Sequence, residues 1–360
     1  MTLTRIRVQG FRNLARVELP LDGRVNVLHG DNAQGKTNFI EAVYLLANLQ
    51  SFRTRRLRDL IQSGQVQALL QGYVEGRNGG ARLDVVVEPR GRLVRRNGKT
   101  PESTASYLSE LHTVLFSPLD LELARGSQDQ RRKFLDRATF LRDPSHLARL
   151  RSYNRVLKQR NAVLRRGGAQ LGVWDERFAE WGAEVMRARE ETLDRVGPIV
   201  AEMHREIAGG GEAIELHCPL PFGGPGELRS GLLEALERRR ERDERLGYTT
   251  VGPHRAEVVV ALNGQRAERH ASQGQLRTLA LAFKLALLRW GEQVTGELPV
   301  FLLDDPGSEL DGSRLSYLGR FLASWPGQVI IAGTHPESVP LPAGVPRRRF
   351  RVHRGEVAPD

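Results

Sequence analysis

The segment that most constrains this chain is a glycine-rich octapeptide, GDNAQGKT, at residues 30–37. It matches G-x-x-x-x-G-K-[ST] at every fixed position, follows the short apolar run RVNVLHG and opens a segment with helical periodicity. Glycines let a backbone wrap an anion without a clashing Cβ, and the freed amides together with the helix N-terminus favour a phosphate. The octapeptide therefore predicts a strand, a phosphate-binding loop and a helix in an α/β domain.

The loop offers two kinds of phosphate ligand. Lys36 can reach the β- and γ-phosphates of a nucleotide, and the Thr37 hydroxyl can bind Mg²⁺. A glycine turn that only caps a helix would explain the glycines but not Lys36 and Thr37, and lysine is scarce in this chain, with five in 360 residues. We therefore predict a nucleotide site whose loop comprises Gly30, Asp31, Asn32, Ala33, Gln34, Gly35, Lys36 and Thr37.

Two acids follow a second apolar run, VFLL at 300–303. A run of this kind is typical of a parallel strand buried on both faces, and the carboxyl end of such a strand is where α/β proteins bind ligands. Asp304 can hold Mg²⁺, directly or through water, and Asp305 can orient or deprotonate an attacking water. Alone, two acids could equally end a strand or cap a helix, but the phosphate-binding loop favours the catalytic interpretation.

Two further segments are weaker signals by themselves. His335 ends the next apolar run, GQVIIAGTH, where it can stabilise a γ-phosphate or simply bond to the backbone. Residues 272–275, with the sequence SQGQ, precede a strongly apolar helical segment. A serine cap and a glycine there could present a second helix N-terminus to a phosphate, although a plain cap is commoner.

The predicted elements divide the chain into three parts. Residues 1–125 and 248–360 alternate strands and helices, whereas residues 126–247 are rich in Arg, Glu, Ala and Leu at helical spacing. We therefore predict an α/β domain from the two outer parts and a smaller, mainly helical insertion between them.

No uncharged apolar run approaches eighteen residues, and Cys218, as the single cysteine, cannot form an internal disulfide. The first ten residues lack the apolar core of a signal peptide, so the cytoplasm is the expected location.

The charge balance points to a polyanionic partner. Lys and Arg total 54 against 43 Asp and Glu, which gives a net charge of +11, and such a surface attracts nucleic acid through its phosphates. An arginine-biased composition would give the same sign, and the excess is spread along the chain. The sequence therefore assigns no DNA-contacting residue: four candidates are no stronger than a solvated surface, and these are Arg55, Arg56, Arg131 and Arg132.

The four motifs, in this order, resemble those of the ATP-binding-cassette ATPases. The resemblance assigns Ser272, Gln273, Gly274 and Gln275 to the signature loop, the two acids to the second phosphate-site motif, and His335 to the switch histidine. Ser308 and Asp311 then fall in the dimer-contacting loop. Further segments together resemble the RecF family of recombination mediators, from residue 3 to about 335: FRNL at 11–14, SFRT at 51–54, FSP at 116–118, RRKFLD at 131–136 and GPHR at 252–255.

This resemblance implies a head domain similar to that of the SMC ATPases, with a mixed or parallel sheet and a short arm in place of a long coiled coil. Two heads would sandwich two ATP molecules with Mg²⁺, each held by residues 30–37 of one chain and 272–275 of the other. Arg12 and Asn13 are expected to approach the nucleotide. Aspartate at 305, where transporters and SMC heads usually carry glutamate, fits slow hydrolysis that acts as a release timer. The resemblance implies a weak, DNA-dependent ATPase.

The resemblance also implies partners. RecF proteins act in recombinational gap repair: they bind double-stranded and gapped DNA near junctions in the nucleoid and, with RecO- and RecR-type mediators, help load the recombinase. Two alternatives share the motifs, namely the ATPase subunit of a membrane transporter and a structural clamp that binds ATP without turnover. The helix-rich insertion and the basic balance argue against the transporter and a membrane partner, whereas the structural clamp stays open.

Overall fold

The computed structural model describes residues 1–21, 23–77, 79–167, 170–219 and 227–360. The chain forms two compact units, Met1–Leu121 with Arg277–Asp360, and Glu122–Leu276. The predicted insertion ended at 247, but residues 248–276 belong to the second unit because strand pairing ties them to it. Residues 168–169 and 220–226 of the predicted insertion lie outside the described residues. The division into a nucleotide-binding head and an arm stays a prediction.

The elements alternate as the sequence patterns predict. The strands are, in chain order, β1 (Thr2–Phe11), β2 (Leu14–Pro20), β3 (Val25–His29), β4 (Ala68–Gly76), β5 (Gly79–Glu88), β6 (Gly91–Arg96), β7 (Thr113–Phe116), β8 (Ile214–His217), β9 (Val259–Leu262), β10 (Gln265–Arg266), β11 (Val300–Asp304), β12 (Val329–Gly333), β13 (Arg347–His353) and β14 (Glu356–Pro359).

The helices are α1 (Lys36–Asn48), α2 (Thr104–Leu108), α3 (Leu121–Ala124), α4 (Gln128–Arg142), α5 (His146–Leu164), α6 (Leu171–Ala208), α7 (Leu228–Leu246), α8 (Ala267–His270), α9 (Gln273–Thr295), α10 (Pro306–Glu309) and α11 (Gly312–Ser324). Short 3-10 turns occupy Leu57–Leu60 and Pro118–Asp120. None of the described helices combines the length and apolar character that crossing a membrane requires.

The first unit contains two sheets with α1 between them. One sheet is antiparallel, in the order β2-β1-β4-β5-β6. The other runs β14-β13-β3-β12-β11-β7 and is parallel except for the edge strand β14. Helix α1 packs against β1, β4 and β5 of the first sheet and against β7, β11 and β12 of the second. Its buried side chains, among them Phe39 and Leu46, therefore form a core shared by both sheets.

The register of the parallel sheet determines where its chemistry lies. Gly333 of β12 pairs with His29 of β3, and Asp304 of β11 pairs with Ala332 of β12. All three strands are fully buried apart from His29, as their continuous apolar runs predict. Their carboxyl ends consequently meet at one edge, where the phosphate-binding loop, the two acids and His335 follow directly.

The second unit is organised around helices α4 to α7 and a small antiparallel sheet, β10-β9-β8. The 38-residue helix α6 packs against α4, α5 and α7. Arg160, fully buried on α5, donates to Asp175 at 2.7 Å and to Asp243 at 2.9 Å. Arg189, buried on α6, donates to both oxygens of Asp136 at 2.8 Å. Removing one partner of such a pair leaves an uncompensated buried charge, so helix arrangements that separate these partners are disfavoured.

The segment GPHR at 252–255 contributes a histidine to this unit. His254 Nε2 faces the Thr249 carbonyl at 3.1 Å, and a carbonyl only accepts, so Nε2 carries the proton. Its Nδ1 therefore accepts from the Tyr153 hydroxyl, at 2.5 Å. Burial lowers the pKa of His254 from 6.5 to about 4. The imidazole is thus a neutral structural group in a fixed tautomer, which explains the histidine without any catalytic role.

This burial predicts a pH dependence of stability. Because the folded-state pKa of His254 lies below its unfolded value, its stabilising effect is complete above pH 6.5 and is lost as the pH falls toward 4. From about pH 7.5 to about pH 5, wild type should lose roughly 2 kcal/mol more unfolding free energy than His254→Gln, which cannot titrate. Chemical denaturation at both pH values measures this difference, and equal losses would contradict the assignment.

Candidate nucleotide-binding site

The phosphate-binding loop joins β3 to α1 with a backbone that only certain residues adopt. Gly30 and Gly35 have φ of 146° and 123°. A Cβ at Gly30 would collide with the Val352 carbonyl oxygen, and one at Gly35 would lie 2.9 Å from Asn13 Oδ1. Both glycines are therefore required by conformation and by close approach, as the motif predicts. The loop ends in the first turn of α1, whose N-terminal amides are free to face an anion.

Lys36 is the first residue of α1, and its buried side chain folds back over the loop. Its Nζ donates to the Gly30 and Asp31 carbonyl oxygens, each at 2.7 Å. Burial lowers the pKa of Lys36, while the nearby carboxylates of Asp305, Asp304 and Asp31 act in the opposite direction. The ammonium is thus held over the loop by neutral acceptors, in a position that suits a phosphate.

Thr37 and Asp304 connect the loop to strand β11. The Thr37 hydroxyl donates to Asp304 Oδ1 at 2.8 Å, although the two residues are 267 positions apart. Burial raises the pKa of Asp304 to about 6, and the hydrogen bond from Thr37 opposes this rise. A cation beside the carboxylate would favour its ionised form. The structure thus brings together the two residues that were predicted to hold Mg²⁺.

The donor set fits Mg²⁺. A hydroxyl and a carboxylate are hard oxygen ligands, and Mg²⁺ is commonly held by one or two protein oxygens together with waters and phosphate oxygens. Within the described parts of the chain there is no group of three or more His, Cys, Asp or Glu that could hold a metal alone.

Asp305 begins the turn into α10 in the left-handed region, with φ of 50° and ψ of 54°. Its N–H donates to the Ala332 carbonyl at 2.8 Å, and its carbonyl accepts from the Ser308 N–H and hydroxyl. Such a conformation costs an L-residue about 1 kcal/mol and is concentrated at functional sites. The turn fixes the backbone of Asp305 at the same edge as Lys36.

His335 follows β12 in an exposed turn. Its N–H donates to Ser338 Oγ at 3.2 Å, and the Ser338 hydroxyl donates to the His335 carbonyl at 2.5 Å. These bonds hold the turn through its backbone. The structure therefore places His335 just beyond the carboxyl end of β12, and its role toward a γ-phosphate stays a prediction.

Arg12 and Asn13, in the turn between β1 and β2, play different parts. Asn13 Nδ2 donates to the Gln34 carbonyl at 3.0 Å, so Asn13 contacts the phosphate-binding loop itself. Its Oδ1 accepts from Asn38 Nδ2 at 2.7 Å. Arg12 instead donates twice to Glu41, at 3.0 and 2.9 Å. The turn is thus joined both to the phosphate-binding loop and to the first half of α1.

Glu41 is the residue of this site that sequence reasoning missed. It lies on α1 and is fully buried, and it accepts from Arg12, from Arg53 Nη1 at 3.2 Å and from the Ser51 hydroxyl at 2.5 Å. Arg53 also donates to Asn38 at 2.7 Å. One signal was available: Glu41 is the single acid in the otherwise apolar segment FIEAVYLLA. It connects the FRNL and SFRT segments, which are far apart in the sequence, to the same helix.

The carboxyl-terminal hairpin β13–β14 also supports the loop, which no sequence pattern indicated. Its turn donates to Gln34, from Gly355 N–H to the carbonyl at 2.8 Å and from Arg354 N–H to Oε1 at 2.6 Å. His29 and Asp360 are 2.9 Å apart. A polar cavity of about 220 Å³ lies beside these contacts, lined by residues 29–31, 351–353 and Asp360.

The predicted signature and dimer-loop residues form caps within their own units. Ser272 Oγ accepts from the Gln275 N–H at 3.2 Å, and Gln275 Oε1 accepts from the Ser272 N–H at 2.7 Å, which is a reciprocal capping box at the start of α9. Gln275 Nε2 also donates to Glu212 at 2.7 Å. Asp311 caps α11 by accepting from the Arg314 N–H at 3.1 Å. Their roles toward a second chain stay predictions.

Arg131 is excluded as a surface contact. It is 1% exposed and donates to the carbonyl oxygens of Leu123, Ala124 and Val258. Three main-chain acceptors make it a structural residue of the second unit. Of the other candidates, Arg55 and Arg56 are exposed, and Arg132 is half-buried and donates to the Ala256 carbonyl.

A parallel sheet with a phosphate-binding loop and paired acids, combined with an antiparallel sheet and a helix-rich unit, defines an ATP-binding-cassette ATPase of the kind found in SMC heads. The family model for the RecF/RecN/SMC N-terminal domain matches residues 2–340. The chain belongs to the RecF family of DNA replication and repair proteins. The predicted family and fold class are thereby confirmed.

The relatives match along the whole chain. The RecF protein of Anaeromyxobacter sp. (strain Fw109-5) is 39% identical over 366 residues, which cover 100% of this chain and 99% of that protein. The RecF protein of Geobacter sulfurreducens is 38% identical over 364 residues and covers 100% of both. A solved RecF–ATP structure from the RecFOR pathway superimposes with a TM-score of 0.89 at 31% identity, covering 100% of this chain and 99% of that one.

A more distant structure supports the fold alone. An SMC head bound to the C-terminal winged-helix domain of ScpA gives a TM-score of 0.60 at 14% identity, covering 100% of this chain and 97% of that one.

The contacts of Glu41 predict unequal effects on stability. Glu41→Gln removes the charge that Arg12 and Arg53 share, so it should lower the unfolding free energy by about 3 kcal/mol. Arg53→Gln is the matched control and should cost less than about 1 kcal/mol, because its side chain is 41% exposed whereas that of Glu41 is 0% exposed. Denaturant titration of the two variants measures both effects, and equal losses would show that Glu41 does not have this central role.

Proposed function

We propose that this chain is an ATP-dependent DNA-binding protein of recombinational gap repair. The observation that carries the proposal is the meeting of Lys36, Thr37, Asp304, Asp305 and His335 at one edge of the parallel sheet. The similarity to a RecF–ATP structure over the whole chain supports ATP as the nucleotide. ATP-bound heads would dimerise and clamp DNA near single-strand/double-strand junctions, and slow hydrolysis would release them.

In this proposal the loop binds the triphosphate and holds it in place. The amides of residues 30–37 would face the β- and γ-phosphates, and Lys36, which now donates to loop carbonyls, would donate to phosphate oxygens when the nucleotide is bound. Asn13 keeps the loop in shape through Gln34. Arg12 does not contact the loop in this way, because its guanidinium is held by two hydrogen bonds to Glu41. Thr37 and Asp304 would hold Mg²⁺, which stabilises developing negative charge on the phosphoryl oxygens.

Two residues are assigned to the hydrolytic step. The Asp305 carboxylate orients the attacking water and accepts its proton, and the His335 imidazole donates a hydrogen bond to the γ-phosphate. An aspartate reaches less far than a glutamate would from the same backbone position. Slow turnover is the expected result, which suits a timer that keeps the clamp closed for a limited period, and we propose that DNA stimulates this turnover.

Residues 272–275 are assigned to the nucleotide of a second chain. These residues lie at the N-terminus of the long helix α9, where Ser272 is the capping residue. The backbone amides and the positive end of the helix dipole there are a favourable arrangement for a γ-phosphate. Ser308 and Asp311 would lie at the same dimer contact. RecR- and RecO-type mediators and, indirectly, the recombinase are the proposed partners in the nucleoid, and the RecFOR pathway named for the similar RecF structure supports this.

Lys36→Arg should lower ATP turnover at least about a hundredfold. The guanidinium keeps the charge but cannot occupy the position of the compact ammonium inside the loop. Lys99→Arg is the matched control, because Lys99 is an exposed residue that pairs with Arg96 and takes no part in the loop, and it should keep wild-type turnover. Phosphate release under saturating Mg·ATP measures both variants. Unchanged turnover in Lys36→Arg would overturn the nucleotide site.

Asp305→Asn should trap ATP and make the dimer visible by light scattering. We expect a monomer with Mg·ADP and a dimer with Mg·ATP, because only the triphosphate carries the γ-phosphate that the second chain would contact. Adding Ser272→Arg should restore the monomer, whereas Ser145→Arg, at the start of α5, should not. A monomer under both nucleotides would contradict the ATP-induced dimer.

A further inference from the structure

Helix α5 has a charge pattern unlike that of its neighbours in the second unit. It contains no Asp or Glu along His146–Leu164, but it carries Arg149, Arg151, Arg155, Lys158 and Arg160. Helix α6 has nine acidic residues against five arginines, and α7 has five acidic residues against six arginines. Helix α4 has five basic residues against two acidic ones, so α5 is the only one of the described helices α4 to α7 that carries cations and no acidic residue.

The five cations of α5 fall into two groups. Arg160 is buried against Asp175 and Asp243, and Arg149 is paired with Asp143 and Glu184. The other three lie exposed at spacings of four and three residues, which places them on one helix face: Arg151, Arg155 and Lys158. We call these three residues the basic ridge. Within the described residues none of them forms an ion pair within 4.0 Å.

The basic ridge is unfavourable for the helix itself. Like charges three or four residues apart cost an isolated helix about 0.2–0.5 kcal/mol per pair. The neighbouring α7 avoids this cost, because Arg238 contacts Glu234 and Arg240 contacts Glu237. A helix that only needed a solvated face could use the pattern of α7. The charges of the ridge are therefore available to an external anion, and such an anion would relieve their mutual repulsion.

The spacing of the ridge fits a nucleic-acid backbone. At 1.5 Å per residue, the seven positions from Arg151 to Lys158 span roughly 10 Å. Each strand of duplex DNA carries one phosphate per ~3.4 Å of helix axis, so three consecutive phosphates span about 7 Å along that axis, and flexible Arg and Lys side chains can adjust to the difference. Arg165 and Arg166, both exposed, continue the charge beyond the end of the helix.

We propose that the basic ridge binds the phosphate backbone of duplex DNA. This inference rests on the proposed function, since it names a surface by which the chain holds its DNA. Three flexible cations on a helix without Asp or Glu neutralise phosphates by charge alone, so the proposed contact is independent of base sequence. The ridge fixes the position of the DNA backbone along α5.

The experiment compares two triple variants of the full chain that lose the same charge. Arg151→Gln/Arg155→Gln/Lys158→Gln removes the ridge, whereas Arg238→Gln/Arg239→Gln/Arg242→Gln removes three exposed arginines from α7. Binding of a fluorescein-labelled duplex with Mg·ATP is measured by anisotropy over a series of salt concentrations. The ridge variant should bind at least about tenfold more weakly, and the slope of log K against log salt should decrease by about 2 to 3.

Two controls separate binding from folding. Neutralising the ridge removes like-charge repulsion, so the melting temperature of the variant should be equal to or above that of wild type. ATP turnover without DNA should be unchanged, since no ridge residue belongs to the nucleotide site. The α7 variant should keep the wild-type affinity and salt slope.

The outcomes distinguish the two proposals. If wild type binds the duplex and the ridge variant binds it equally well, the ridge assignment is overturned and the proposed function stands. If both triple variants lose affinity equally, net charge rather than the ridge is responsible, and the assignment is overturned as well. If wild type itself does not bind DNA, the proposed function fails first.

Discussion

The parallel pairing of β12 with β3 on one side and β11 on the other is the constraint on which the site depends. Its register places Gly333 beside His29 and Asp304 beside Ala332. The loop, the acids and the histidine come from segments about 270 and 30 residues apart, yet all begin where these strands end. Hydrophobic burial of three short apolar strands thus brings the loop, the acids and the histidine together, although these polar groups are solvated in the unfolded chain and do not associate by themselves.

The site retains unfavourable features that a bound nucleotide would offset. A lysine is buried under neutral carbonyls, an aspartate is desolvated until its pKa reaches about 6, and the next residue is held in the left-handed region. Each lowers the stability of the chain without ligand and suits the proposed binding of Mg·ATP. The surrounding contacts from Asn13, Glu41 and the carboxyl-terminal hairpin supply the rigidity that such features need.

The second unit uses arginine in two physically different ways. Arg160 and Arg189 are buried and fully committed to aspartates, so they specify how the helices pack. Arg151 and Arg155 are exposed and uncompensated, and they repel each other on a helix without acids. The amino-acid composition does not distinguish these arginines. Burial makes Arg160 and Arg189 part of the helix packing, whereas exposure leaves Arg151 and Arg155 available to an anion.

The sequence by itself determined the phosphate-binding loop, the acids after β11 and the position of His335. Each is a local pattern in which an apolar strand runs directly into its functional residues, so a short window contains the whole signal. Only the tertiary structure decided that Glu41 joins Arg12 to Arg53, that the last hairpin supports Gln34, and that residues 248–276 belong to the second unit. These contacts pair residues distant in sequence, and periodicity reports which face a residue lies on but not its neighbour there. Burial likewise decided that Arg131 is structural, since the sequence does not show whether an arginine is solvated or donates to buried carbonyl oxygens.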